Sequence, residues 1–157
     1  MNVYVESNFV LELALVQEQH SSCERVLELC EAGKVRLVVP AYCLAEPYET
    51  AVRRARERRR LATDFAREVQ QLIRSEPYKG ESEVLQGVTS LLVQSTEEEK
   101  KRLDRAVERL VSLAEVIPLQ AATLAAALGF QASLGLSPQD SLVYASIIQH
   151  LAQSSDP

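Results

Sequence analysis

The chain of 157 residues contains no tryptophan, and aromatic residues make up only 5% of it. This scarcity argues against an aromatic-rich β-sandwich, so the core must consist mainly of leucine, valine and alanine. Hydrophobic residues still reach 46% of the chain. Length and composition therefore predict a single domain, residues 1–157, that is large enough to bury a sizeable core.

Cysteines and long apolar runs are also scarce. The three cysteines, Cys23, Cys30 and Cys43, cannot all pair and lack the spacing of a zinc site, so we expect reduced thiols. No apolar stretch approaches the roughly 18–20 residues needed to cross a membrane. The N-terminus, MNVYVESNF, has no basic segment followed by an apolar one. These absences favour a soluble cytoplasmic protein that does not act with a membrane.

An overall excess of positive charge is missing as well, because the net charge is −5. One basic segment stands out, residues 53–60 (RRARERRR), which holds six arginines and one glutamate. Arginine grips phosphate through its planar guanidinium group, so this helix is a candidate RNA-binding surface. Its candidate contacts are Arg53, Arg54, Arg56 and Arg58. The alternative is a solvated helix face that pairs with Glu49 and Glu57.

Short strand-like runs alternate with helical patterns along the chain. Strands are predicted at residues 3–5, 35–39 and 116–117, and the run VRLVV at 35–39 is typical of a strand covered on both faces. Helices are predicted at about 9–15, 21–32, 40–75, 82–94, 96–114, 121–134 and 137–152. Thr96 and Glu99 form a capping box that predicts the start of the helix at 96. Strands separated by helices predict an α/β fold with a short parallel sheet.

Three acids follow these strands in a way that indicates a metal site. Glu6 comes just after the first strand, Glu46 lies in the helix after the second, and Asp140 lies in the first turn of the last helix. In open α/β sheets, ligands bind beyond the carboxyl ends of the strands. Carboxylates gathered there repel each other unless a hard cation such as Mg²⁺ or Mn²⁺ lies between them. Such a cation can activate water and neutralise charge on a phosphodiester.

Each acid also has an ordinary structural interpretation. Asp140 completes the sequence Ser-Pro-Gln-Asp (residues 137–140), which suits the capping of a helix N-terminus. Glu46 fits an exposed helix position equally well. Glu6 is harder to explain by solvation, since it directly follows a buried strand. His20 and His150 are expected to be incidental, because neither is close in sequence to another candidate ligand or nucleophile.

Three motifs around these acids resemble the PIN-domain ribonucleases, including the VapC-type toxins. The first is VYVESN at residues 3–8, a strand that ends in an acid followed by Ser7 and Asn8. The second is VVPA at 38–41, followed by LAE at 44–46. The third is GLSPQDSL at 135–142. The motifs occur in the family's order and cover the whole chain.

The resemblance implies a PIN-like three-layer α/β/α domain and a metal-dependent endoribonuclease. Its metal ligands and catalytic residues would be Glu6, Glu46 and Asp140, supported by Ser7 and Asn8. The implied cofactor is Mg²⁺ or Mn²⁺. The implied partners are RNA, an antitoxin protein if the chain is the toxin of a toxin–antitoxin pair, and a second copy in a homodimer.

The chain departs from the family pattern at two places. The family usually has aspartate where this chain has Glu6. The family also continues with another strand and a fourth acid where this chain stops, at Pro157, so the sheet is expected to lack its last strand or strands. Two alternatives stay open: a catalytically impaired PIN domain that binds RNA or protein, and a helical interaction protein without nucleic-acid function.

Overall fold

The computed structural model describes residues 1–79 and 82–154. It contains a parallel sheet and many helices, as the sequence predicts. The strands are β1 (Asn2–Tyr4), β2 (Arg36–Pro40) and β3 (Glu115–Ile117). The helices are α1 (Ser7–Leu15), α2 (His20–Glu31), α3 (Ala41–Leu72), α4 (Ser82–Leu113), α5 (Ala121–Leu134) and α6 (Pro138–Gln153), and a short 3-10 turn covers Glu76–Tyr78. This is the predicted helix-rich α/β class.

The chain forms two compact units. We call residues Met1–Pro47 and Leu103–Pro157 the sheet unit, and residues Tyr48–Arg102 the helical unit. The sheet unit contains all the strands described here, and the helical unit contains most of α3 and α4. The single domain expected from the sequence remains a prediction.

The sheet has the order β1-β2-β3, and both pairs of strands are parallel. Strand β2 lies in the middle, where three consecutive residues, Leu37, Val38 and Val39, are fully buried. Since neighbouring residues of a strand point to opposite faces, both faces of β2 must be covered. Helix α2 packs against β2, and α6 packs against β2 and β3. The prediction from this apolar run, that the strand is covered on both faces, is therefore confirmed.

Local signals set the boundaries of α5 and α6. Helix α5 ends at Gly135, whose φ of +67° is the left-handed conformation that glycine adopts without steric cost. Helix α6 begins with Ser137 as its N-cap and Pro138 in its first turn. Both boundaries agree with those predicted from the sequence.

Helix α4 corrects one prediction. The capping box at Thr96 predicted two helices, but α4 is continuous from Ser82 to Leu113. The Thr96 hydroxyl donates to the Leu92 carbonyl oxygen at 3.1 Å, one turn earlier, and so does the Ser95 hydroxyl at 3.1 Å. Neither glycine nor proline occurs between residues 88 and 113. The helix therefore continues through both residues, and their hydroxyls donate hydrogen bonds to a carbonyl oxygen of the preceding turn.

Pro47 lies inside α3 rather than at its start. The helix begins at Ala41, so Pro47 falls in its second turn. Pro47 is almost fully buried. A proline inside a helix has no N–H to donate to the carbonyl four residues earlier, which here belongs to Cys43.

Two expectations fall on residues outside the described ranges. The gap between the predicted helices at 40–75 and 82–94 includes residues 80–81, and the expected absence of a last strand concerns the residues after Ser154. Over residues 1–79 and 82–154 the sheet has three strands. No helix in this part of the chain is both long and apolar enough to span a membrane.

Candidate functional site

The turn between β1 and α1 presents the first acid. Glu6 is the N-cap residue of α1, its backbone is extended, and its side chain is exposed. The Asn8 side-chain amide donates to Glu6 Oε1 at 3.2 Å. A carboxylate at this position lies near the positive end of the helix dipole. The strand and the helix thus hold Glu6 at the carboxyl edge of the sheet, with Asn8 directing its side chain.

The second acid is tied to the same turn. The Ser7 hydroxyl donates a hydrogen bond to Glu46 Oε2, joining the start of α1 to the second turn of α3 across 39 positions of sequence. Both side chains are half-buried. Ser7 thus contacts Glu46 and Asn8 contacts Glu6, and their supporting role at a metal site remains a prediction.

A buried thiol lies beneath this pair of acids. Cys43 is fully buried one turn before Glu46. Burial raises the pKa of the Cys43 thiol, and the negative charges of Glu46 and Glu6 raise it further, while hydrogen bonds involving Ser7 oppose the shift. The hydrogen bond from Ser7 places the Glu46 side chain beside the residue that directly follows Glu6. The protonated thiol is poorly suited to act as a nucleophile or metal ligand.

The third acid caps its own helix. Asp140 is exposed, its backbone N–H donates to Ser137 Oγ at 3.1 Å, and the Ser137 hydroxyl donates to Asp140 Oδ2 at 2.7 Å. The capping arrangement read from the sequence is therefore present. The capping hydrogen bond uses Asp140 Oδ2, and the metal-ligand role of Asp140 remains a prediction.

Metal binding can be tested against the donor atoms in this structure. The carboxylate oxygens of Glu6, Glu46 and Asp140 are the donor type that Mg²⁺ and Mn²⁺ prefer. Within residues 1–79 and 82–154, however, no group of three or more histidine, cysteine, aspartate or glutamate side chains is placed to hold a metal ion. The donors fit in chemistry, and Ser7 links the Glu46 side chain to the turn that carries Glu6, but the three acids do not form a closed set of ligands.

Arg58 has a structural role in the helical unit. Its guanidinium group donates to both carboxylate oxygens of Glu99 on α4, at 2.7 and 2.8 Å. These side chains are only 25% and 18% exposed, and the Glu99 hydrogen bonds raise the pKa of Arg58. The sequence suggested pairing with Glu49 or Glu57, whereas the partner lies on the neighbouring helix. Arg58 is thus less available for RNA than its neighbours.

The other predicted RNA-binding arginines remain near solvent. Arg53 and Arg56 are exposed and Arg54 is half-buried. Arg53 and Arg56 line a cavity of about 460 Å³ beside α3. A second cavity, of about 370 Å³, lies between α3 and α4 of the helical unit, where Arg56, Arg59 and Lys100 are among its lining residues. The helical unit therefore offers open concave surface next to several cations.

A network that sequence reasoning missed lies on the sheet. His150 was expected to be incidental, and this was wrong: the Tyr4 hydroxyl is 2.8 Å from His150 Nδ1, and His150 Nε2 is 3.3 Å from Glu115 Oε1. Arg36 in turn lies 2.9 Å from Glu115 Oε2. Nδ1 of His150 faces the Tyr4 hydroxyl and Nε2 faces the Glu115 carboxylate, so the imidazole lies between β1 and β3. The network joins all three strands to α6.

No spacing in the sequence could have revealed this network. Tyr4 and Glu115 are both aligned with Val38, one on either side of it, so they occupy one row across the sheet. That row depends on strand order and register, which residue spacing along the chain does not encode. The His150 side chain is only 12% exposed, which is consistent with a structural role for the network.

Comparison with protein families gives one finding that spans both units. A family model described as the PIN domain matches residues 3–157. Comparisons with curated proteins and with solved structures give no significant match.

Proposed function

Because the chain belongs to the PIN-domain family, whose members are typically nucleases, we propose that it is a metal-dependent endoribonuclease. Membership agrees with the resemblance carried by the three sequence motifs. The observation that supports the proposal most is the Ser7–Glu46 hydrogen bond, since it brings the acid after β1 and the acid on α3 to one turn. Cleavage of RNA phosphodiester bonds is the reaction we propose for this site.

Three acids would hold the metal in this proposal: Glu6, Glu46 and Asp140. PIN domains generally bind divalent metals, and Mg²⁺ or Mn²⁺ suits carboxylate oxygens. When bound, the cation would activate water and neutralise negative charge on the phosphodiester. The acids would have to draw together on loading, since they do not form a three-ligand group as described. Ser7 and Asn8 would orient Glu46 and Glu6 during that step.

Binding of the RNA backbone would fall to the helical unit. Arg53, Arg54 and Arg56 would contact phosphates, and exposed Arg59 would join them. Arg58 would contribute mainly by fixing α3 against α4 through Glu99. Recognition would rest on the phosphate backbone and its shape.

The biological setting belongs to the same proposal. We propose that the chain acts on RNA in the cytoplasm as the toxin of a toxin–antitoxin pair, with an antitoxin protein as its partner. We also propose that it forms a homodimer. Family membership is the support for these assignments.

The decisive experiment compares RNA cleavage by the parent with cleavage by Asp140→Asn, Glu46→Gln and Glu6→Gln, in buffers that contain Mg²⁺, Mn²⁺ or EDTA. Changes outside the first coordination shell cost about 10–100-fold in affinity or activity, so loss of a ligand should reduce the cleavage rate by at least about 100-fold. A thermal melt run in parallel should show metal-dependent stabilisation of the parent that is absent from Asp140→Asn.

A matched control is Glu108→Gln, which removes an exposed acid of α4 and should cleave like the parent. Unchanged metal-dependent cleavage by all three site variants would refute the site assignment. Cleavage that persists in EDTA would refute the requirement for metal.

A second candidate function has an observation of its own. The described residues contain no three-ligand metal group, and Glu6 replaces the family's usual aspartate. A catalytically impaired PIN domain that binds RNA or protein would have both properties. It predicts RNA binding that Arg54→Ala weakens, with no cleavage products in either metal.

A further inference from the structure

Helix α5 lacks charge and is nevertheless largely exposed. Its sequence, AATLAAALGFQASL, contains no aspartate, glutamate, lysine or arginine. Nine of its 14 residues are exposed, including Leu124 at 46% and Leu128 at 68%. A helix that is apolar on all sides is normally buried on all sides. The exposed side of α5 is therefore a surface of the kind that is normally packed against another helix, sheet or protein chain.

Helix α6 extends this surface. It packs against α5, with the rings of Phe130 and Tyr144 edge-to-face at 4.9 Å between centroids. Tyr144, Ile148 and Leu151 follow one another at helical spacing and are 39%, 39% and 43% exposed. We refer to five exposed side chains of the two helices as the α5–α6 face: Leu124, Leu128, Tyr144, Ile148 and Leu151.

The charge pattern around this face is unusual for the chain. Residues 116–153 contain a single formal charge, that of Asp140, and no lysine or arginine follows Arg109. The remainder of the sheet unit is strongly acidic, since that unit holds five basic and 12 acidic residues, a net charge of −7. Two sheet units that approach each other would repel over most of their surface. They would not do so where neither copy presents a charge.

We propose that the α5–α6 face is the surface through which two copies of this chain associate. A twofold contact places the same patch on both subunits, so an uncharged apolar patch is complementary to itself. This assignment goes beyond the general expectation of a homodimer, because it names the surface. It does not depend on the chain being a nuclease.

Other occupants fit the face less well. Nucleic acid and anionic membrane surfaces require nearby lysine or arginine, which this part of the sequence lacks. A charged peptide would find no counter-charge on α5. A typical interface covers about 800 Å² on each subunit, and one helix about 21 Å long is too narrow to supply it. Both α5 and the exposed side of α6 must therefore take part.

Sedimentation equilibrium of the full chain tests the proposal, with three samples over a range of concentration: the parent, Leu128→Lys and Leu91→Lys. Leu91 is a matched control, because it is 66% exposed and lies in the helical unit. The parent and Leu91→Lys should be dimeric with the same dissociation constant. Leu128→Lys should raise that constant at least about 100-fold, because it would bury an unpaired charge in the contact.

Circular dichroism should show the same helix content in all three proteins, and Leu128→Ser, a smaller uncharged change, replaces Leu128→Lys if the lysine variant does not fold. A parent that stays monomeric up to about 100 µM overturns the proposal. So does a Leu128 variant that dimerises like the parent, or a Leu91 variant that becomes monomeric while the Leu128 variant stays dimeric. None of these outcomes bears on whether the protein cleaves RNA.

Discussion

The sheet unit and the helical unit differ in both charge and core. The helical unit holds 12 of the 17 basic residues and 10 of the 22 acidic ones, a net charge of +2, whereas the sheet unit carries −7. Of the 18 buried hydrophobic residues in the described part of the chain, 16 lie in the sheet unit. The other two are Ala62 and Val69.

This difference shows how an acidic protein can contain a unit with a positive net charge. The chain has a net charge of −5, yet it contains one unit in which basic residues outnumber acidic ones. In the proposed function the acids attract a cation and the arginines attract phosphate. The three acids belong to the sheet unit and the arginines of residues 53–60 belong to the helical unit. Most of the buried hydrophobic residues lie in the sheet unit, and both units contain ion pairs.

The largest expected effect tests the contrast in burial. Leu110 is fully buried in the sheet unit, so Leu110→Ala should lower the free energy of unfolding by about 2–5 kcal/mol. Leu91 is 66% exposed in the helical unit, and Leu91→Ala should change that free energy by no more than about 0.5 kcal/mol. Urea unfolding measures both. Equal losses would mean that the two units are packed alike in solution.

A smaller effect tests the ion pairs of the helical unit. Arg58→Ala removes two charge-assisted hydrogen bonds from half-buried Glu99 and should cost about 1–3 kcal/mol. Arg60→Ala removes a solvent-exposed pair with Asp64, 3.8 Å apart, and should cost less than about 0.5 kcal/mol. Hydrogen exchange of residues 48–102 reports the loss locally. If the two variants exchange alike, the Arg58–Glu99 pair does not hold the helical unit together.

The smallest effect concerns RNA binding. Arg56→Ala should reduce the slope of log affinity against log salt concentration by about 0.7 for single-stranded RNA, because one phosphate contact is lost. The control is Arg25→Ala in the sheet unit, where Arg25 is 72% exposed and pairs with Glu28. It should leave the slope unchanged. A loss of slope in the control but not in Arg56→Ala would move the RNA surface to the sheet unit.

Local signals made much of the fold predictable. Strand β2 follows from a run of apolar residues, and the boundaries of α5 and α6 follow from Gly135 and Ser137. These features are encoded by neighbours in sequence, and the structure places them where they were expected. Thr96 had an equally local signal and led to a wrong boundary, because its hydroxyl bonds the preceding turn within a continuous helix.

Contacts between distant elements set the limit of prediction. The sequence identified Ser7 and Glu46 separately, but the hydrogen bond between them depends on where α3 lies beside the β1–α1 turn. The partner of Arg58 depends in the same way on the packing of α3 against α4. The Tyr4–His150–Glu115 network needed strand register as well. In each case the residue type was visible and its partner was not.

The hydrogen bond between Tyr4 and His150 also bears on how the chain is made. Its two residues are 146 positions apart, so a ribosome adding roughly 5–20 residues per second needs about 7–30 s to supply the second after the first. Over that interval β1 emerges without α6, and contacts of such long sequence separation form slowly. The first strand to be synthesised is thus completed by one of the last helices, so this hydrogen bond can form only after most of the chain has been made.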